Sequence, residues 1–336
     1  MSVYVITGVS KGIGFEFLKQ ISEDQKNLVV GLVRDIAATE KKIAAELGDR
    51  PNVHILHADL TKYASLKQAA SDTAKITGER GIDYLVANGA FVPDLDGYGP
   101  IGALSDKVEE VDAVSSQLSQ TNVVGNIHLF HLFLPLVLKG KVKKVITITT
   151  GLADIDFTNQ CEAETGALYA ASKAAMNVIV AKFNAQYKKD GVLFLGISPG
   201  VVDVGRTPTP EEMQGLMGFM GKLVTYAPHF KGPISPEESV RHVRSTWEKA
   251  SIEGGFGGAF ISHLGNKQAA MVRAIFSYAI EACGNKSDKD TDSDKDSDKD
   301  AHIVSDSRSP KSPKKFYTAI HFHDLPHLHR LCSIPY

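Results

Sequence analysis

Three cysteines in 336 residues, Cys161, Cys283 and Cys332, are too few and too scattered for a disulfide framework or a thiolate metal site. Such usage fits a reducing compartment. An excess of either charge is lacking too, with 37 Lys and Arg against 39 Asp and Glu. The formal net charge of −2 leaves no basic stripe of the kind nucleic-acid binding needs, so no nucleic-acid partner is expected. Long apolar runs are also scarce: the strongest, residues 129–138, is interrupted by His131 and Pro135 and falls short of the ~20 residues a membrane helix requires. The first apolar strand starts at Val3, which leaves no room for a leader. A cytoplasmic protein without membrane attachment is the expectation. What is present, 43% apolar and 23% charged residues, can bury the core of one large α/β domain.

Short apolar runs at 3–7, 28–33, 53–57, 84–87, 145–149 and 193–197 alternate with helical spacing at 15–21, 37–47, 66–76, 117–138 and 169–187. Such alternation predicts an α/β fold of the Rossmann type, a doubly wound parallel sheet with helices on both faces. Six strands are expected, and residues 259–262 supply a seventh. One domain over 1–268 results, followed by a short helix at 269–283 and a low-complexity tail at 284–336. Between Lys286 and Asp300 stand seven Asp, four Lys and no apolar residue, too little to offset the entropy of ordering. Disorder is expected there.

The tail carries two weak metal signals. Asp288, Asp290 and Asp292 alternate like calcium ligands, but Ser293 and Lys299 replace the glycine and glutamate such a loop needs. His321, His323, His327 and His329 with Cys332 have no ordered scaffold. No metal site is expected. Ser309 and Ser312, each followed by proline, are candidate phosphorylation sites.

After the first strand the chain reads Thr7-Gly8-Val9-Ser10-Lys11-Gly12-Ile13-Gly14, and then turns helical. Glycines allow the backbone to approach a phosphate closely, and the helix that follows points its N-terminus at the anion. Gly8, Ser10, Lys11, Gly12, Ile13 and Gly14 are therefore candidate contacts to a dinucleotide. The second strand ends in Val33-Arg34-Asp35, where the adenosine ribose is met. Arg34, with Lys11, favours a 2′-phosphate, whereas Asp35 keeps a free 2′-hydroxyl open. A charge-assisted hydrogen bond contributes roughly 1.5–3 kcal/mol, enough to select NADP(H).

Tyr169 and Lys173 stand four residues apart in Tyr169-Ala170-Ala171-Ser172-Lys173. On a helix they share one face, so an ammonium can stabilise the phenolate of a tyrosine that otherwise titrates near ~10. Proton transfer from such a group typically contributes about 10²- to 10⁴-fold.

Together with Asp59-Leu60, Asn88-Gly89-Ala90, Asn122 and Pro199-Gly200, these segments resemble the short-chain dehydrogenase/reductase family over residues 1–268. Residues 258–267 look like the closing strand of carbonyl-reductase-like members, particularly fungal ones. The resemblance implies hydride transfer between NADP(H) and a carbonyl carbon, with Tyr169 exchanging a proton and Lys173 also reaching the nicotinamide ribose. It implies a water-mediated relay through Asn122, an adenine contact at Asp59 and a loop-steadying role for Asn88. It places the usual dimer surface on the helices at 117–138 and 169–187, with the loop between Thr150 and Tyr169 as an obstruction.

Departures from the family pattern bear on the substrate. Thr150, with Thr149 as the alternative, stands where a serine usually bonds the substrate oxygen. Val204 replaces a threonine that meets the carboxamide, leaving backbone groups near Val202 to serve. The interval 154–164 is long, acidic and read as a flexible loop at the substrate. Residues 205–236 are expected to form a lid. Met213, Leu216, Met217, Met220 and Leu223 at helical spacing either line a pocket for a hydrophobic ketone or pack on the core. A secondary-metabolite ketone is the expected substrate; the alternative function is a cofactor-binding sensor or scaffold without turnover.

Overall fold

The computed structural model describes residues 2–205, 208–228 and 230–266. The expectations for 269–336 lie outside these residues. Seven strands form one sheet in the order β3-β2-β1-β4-β5-β6-β7, and every pairing is parallel. The strands are β1 (Val3–Thr7), β2 (Leu28–Val33), β3 (Val53–His57), β4 (Tyr84–Ala87), β5 (Lys144–Ile148), β6 (Leu193–Ser198) and β7 (Phe260–Ser262). The first, second, fourth and sixth are buried along their whole length. That explains their unbroken apolar runs, since a parallel strand with helices on both faces has no solvated side.

Helices α1 (Gly12–Ser22), α2 (Ile36–Leu47) and α3 (Tyr63–Thr77) follow the first three strands. Phe17, Leu18 and Ile21 from α1 join Val240, Val243 and Trp247 of α9 (Pro236–Lys249) over one face of the sheet. Leu129, Phe130 and Phe133 of α5 (Gly125–Lys139) join Met176, Val180 and Phe183 of α7 (Ala167–Tyr187) over the other. The sheet order reverses between β1 and β4, so both strands deliver their C-terminal ends to one crevice.

Two predicted elements came out differently. The helix expected over 117–138 starts at Val108 as α4 (Val108–Leu118), widens into a π-helical turn at Ser119–Val124, and resumes as α5. The widening centres on Asn122, whose side-chain amide bonds the backbone of Phe91 and whose carbonyl accepts from Asn126 Nδ2. The run Val108–Lys139 is long and apolar enough to cross a membrane, but half of its most apolar window is buried inside the domain, as befits a core helix. The interval read as a flexible acidic loop holds α6 (Ile155–Cys161), started by Asp154, which accepts from Phe157 N. The helical spacing expected at 213–223 falls within α8 (Pro210–Tyr226), which begins with a reciprocal cap between Thr209 and Glu212.

Candidate active site

The glycine turn lies at the C-terminal end of β1. Gly8 has φ of +74° and Gly12 of +57°, backbone that side-chain-bearing residues rarely adopt. Gly14 is needed for a different reason. A Cβ there would run into the Gly8 carbonyl and stand 2.5 Å from Asn88 Nδ2. Asn88 in turn donates to the Thr7 carbonyl at 3.0 Å, and the Thr7 hydroxyl accepts from the amides of Asn88 and Gly89. Asn88 thus ties the end of β4 to the glycine turn. Lys11 caps α1 without any side-chain bond to the first-turn amides, so the N-terminus beside Ser10, Gly12 and Ile13 presents N–H donors suited to a pyrophosphate.

At the outer end of β2 Arg34 is exposed. Asp35 Oδ1 accepts from Ala38 N at 3.0 Å and caps α2. Asp59, one strand further out, accepts from the amide and hydroxyl of Thr61. Burial pushes its pKa up, but these two bonds and the nearby Arg34 outweigh it and hold the carboxyl below its usual range. Arg34 and Asp59 are thereby neighbours at one end of the crevice.

Tyr169 and Lys173 rise from the first turns of α7. Lys173 is buried, and its Nζ donates to the Ile148 carbonyl at 2.9 Å while lying 5.7 Å from the centroid of the Tyr169 ring. Both side chains occupy one face of the helix. Their acid-base balance differs from the sequence expectation of a phenol made more acidic. Burial holds the Tyr169 hydroxyl above its ordinary value and pulls Lys173 down to about 8. Desolvation dominates, with Lys173 buried and Tyr169 half-buried on the same face of α7.

Asn122 is fully buried and donates to the Phe91 carbonyl and the Ser172 hydroxyl. Ser172 in turn donates to the Tyr169 carbonyl at 2.7 Å. The structure therefore joins Asn122 to Tyr169 through Ser172, and its side chain makes no direct bond to Lys173 among the described residues. Thr150 accepts from Leu152 N at 3.3 Å and starts a short turn, leaving its own hydrogen to donate. Thr149 points inward, 2% exposed, toward Gly196 and Asn177.

A family model described as short chain dehydrogenase matches residues 2–214. The chain belongs to this family. The short-chain dehydrogenase/reductase iacC of Pestalotiopsis fici is 65% identical over 270 residues, spanning 80% of this chain and 99% of that protein. The short chain dehydrogenase virK of Hypocrea virens is 53% identical over the same shares of both chains. The fold is shared with an NADPH-bound carbonyl reductase from chicken fatty liver, with TM-score 0.62 and 21% identity, over 80% of this chain and 99% of that one.

Several features of this short-chain dehydrogenase escaped the sequence reading. Val204 comes within 3.7 Å of where a Gly12 side chain would stand, so the residue replacing the usual threonine covers the glycine turn. Val202 bridges to Ile234 in parallel through its neighbours, with Ile234 N donating to the Val201 carbonyl and Asp203 N to the Ile234 carbonyl, which anchors the segment after β6. A cavity of about 460 Å³ is walled by Asp94, Leu95, Tyr98 and Pro100, by Glu164 and Thr165, and by the α8 face bearing Gly215, Phe219 and Lys222. The methionine stripe does not line it. Leu223 and Met220 instead pack with Phe157 and Cys161 of α6, which supplies an apolar surface where a flexible loop is expected from the sequence. Lys222 spans the rim, 2.8 Å from Glu164.

Proposed function

We propose that this chain is an NADP(H)-dependent carbonyl reductase acting on a ketone with an apolar body, in the cytosol. The observation that carries this reading is the placement of Tyr169 and Lys173 on one face of α7, beside the C-terminal end of β5, with Lys173 anchored on Ile148. Tyr169 gives its proton to the carbonyl oxygen and so prevents an alkoxide from accumulating. Thr150 donates a hydrogen bond to the same oxygen and orients it. Lys173, with a pKa near 8, is cationic at neutral pH and lowers the cost of charge on the phenol. Bound NADPH would supply the hydride. Its diphosphate would lie at the turn from Gly8 to Gly14, where the first-turn amides of α1 have no side-chain acceptor of their own.

Preference for the phosphorylated cofactor is supported by Arg34 and Asp35. The carboxylate that would accept from a free ribose hydroxyl already accepts from Ala38 N, while Arg34 stands exposed beside it. Similarity to an NADPH-bound carbonyl reductase supports the same choice. An apolar substrate is supported by Leu95, Tyr98, Pro100 and Phe219 in the cavity wall, and the substrate class we propose is a ketone of secondary metabolism. A homodimer through α5 and α7 is supported by exposed Leu138 and Val178.

The test is NADPH oxidation against a panel of aromatic ketones, with Tyr169→Phe as control. Turnover that falls at least a hundredfold in the variant supports the reading. Tight NADPH binding with no turnover on any ketone would favour a cofactor sensor instead, in keeping with Val204 over the glycine turn.

A further inference from the structure

Helix α7 begins in an unusual way for the element that carries Tyr169. Its N-cap is Gly166, in left-handed backbone with φ of +67° and ψ of +32°, and no side chain of its own caps the first turn. The missing acceptor comes from elsewhere in the chain. Asp96, on the loop after β4, accepts from Leu168 N through Oδ2 at 2.6 Å, and its carbonyl accepts from Gly166 N at 2.8 Å. Asp96 is only 2% exposed, and its Oδ1 has no partner among the described residues. A buried carboxylate is costly unless something offsets its charge; here the N-terminal pole of a long helix does so.

Leu168 immediately precedes Tyr169. The same loop pairs with the chain leading into α7 through the bridge between Pro100 and Thr165, and Leu95, Tyr98 and Pro100 from it form one wall of the cavity. One loop thus holds the start of α7 and lines the cavity.

We propose that Asp96 is a positioning residue for Tyr169, fixing the first turn of α7 against the cavity wall so that the phenol meets the substrate oxygen. The proposal rests on the carbonyl-reductase reading. Its chemistry is indirect: Asp96 touches no reacting atom, and it acts through the Leu168 amide.

The experiment uses the full chain and two readouts, steady-state kinetics with NADPH and an accepted aromatic ketone, and hydrogen exchange of residues 166–171. Asp96→Ala should lower kcat about 10- to 100-fold, leave KM for NADPH within twofold, and speed exchange at 166–171 while α1 is unchanged. Asp96→Asn, which keeps an acceptor oxygen for Leu168, should restore kcat to within about fivefold of wild type. In a Tyr169→Phe background, Asp96→Ala should change the residual rate less than twofold, because both act at one step. Should Asp96→Ala not fold, Asp96→Ser, whose hydroxyl falls short of Leu168, carries the same readouts. Unchanged exchange, unchanged kcat, or a parallel loss of NADPH binding would overturn the proposal. A wild-type protein that binds NADPH but reduces no ketone would instead bring down the reductase reading on which it stands.

Discussion

Lys173 holds the Ile148 carbonyl at 2.9 Å, so the amine beside Tyr169 is fixed by the backbone of β5. This single bond registers α7 against the sheet end where a nicotinamide would lie. It also leaves a lysine buried in apolar surroundings, with its pKa drawn down to about 8.

Lys173→Met should reduce turnover by about 10²- to 10⁴-fold and change how stability depends on pH. The sign follows from proton binding. Between about 8 and the ordinary 10.5, the unfolded chain holds the lysine proton and the folded chain has released it, so stability rises with pH across that window. Tyr169 is shifted upward and acts in the opposite sense, but only once pH passes its ordinary value. Urea unfolding at pH 7.5 and 9.5 should therefore show wild type gaining on the Met variant by on the order of 1–3 kcal/mol. No difference in pH dependence between the two proteins would contradict the burial argument.

Arg34 and Asp35 should separate cleanly on substitution. Arg34→Ala is expected to raise KM for NADPH about ten- to hundredfold, the worth of one charge-assisted bond, and to spare NADH. Asp35→Ala removes the acceptor for Ala38 N and should cost about 1 kcal/mol of stability while leaving the cofactor ratio unchanged. An Asp35 variant that shifts preference away from NADH would mean that the carboxylate leaves its cap to meet ribose.

The fold was largely readable because buried parallel strands are unbroken apolar runs. Four strands, at Val3–Thr7, Leu28–Val33, Val53–His57 and Tyr84–Ala87, match the sequence expectation residue for residue. Helix boundaries were harder, since α4 carries Glu109, Glu110 and Asp112 with a mostly exposed surface and offers little apolar periodicity. Local motifs located Tyr169, Lys173 and the glycine turn. Asp96 was invisible because its partner, Leu168, lies 72 residues away, and nothing in the run Pro93-Asp94-Leu95-Asp96 tells a helix cap from a solvated turn. The cap role of Asp35 was legible in principle: an aspartate just before a helical run is an N-cap signal.

Thr150 and Thr149 make a paired test of the substrate anchor. Thr150→Ser keeps the hydroxyl and the bond to Leu152 N, so kcat should stay within about threefold of wild type. Thr150→Ala should lower kcat about tenfold or more and cost about 1 kcal/mol through the lost turn cap. Thr149→Val removes a buried hydroxyl that has no partner among the described residues, and should leave turnover intact with equal or greater stability. If Thr149→Val abolished activity while Thr150→Ala did not, the anchor would be the inner threonine.

Glycines offer the sharpest contrast between crowding and open space. A Cβ at Gly14 meets the Gly8 carbonyl and the Asn88 amide, groups that belong to rigid backbone and to a side chain already bonded to Thr7. Neither can withdraw without opening the turn, so Gly14→Ala should cost at least the 1–3 kcal/mol typical of overpacking and weaken NADPH binding more than tenfold. At Gly221, inside α8, a Cβ meets nothing within 4 Å. Gly221→Ala should therefore stabilise the protein by up to about 1 kcal/mol through helix propensity, with NADPH affinity unchanged. Isothermal titration and thermal unfolding of the two variants side by side check both signs. Equal effects at the two positions would show that helix propensity, and not the fit of the glycine turn around a phosphate, controls the response.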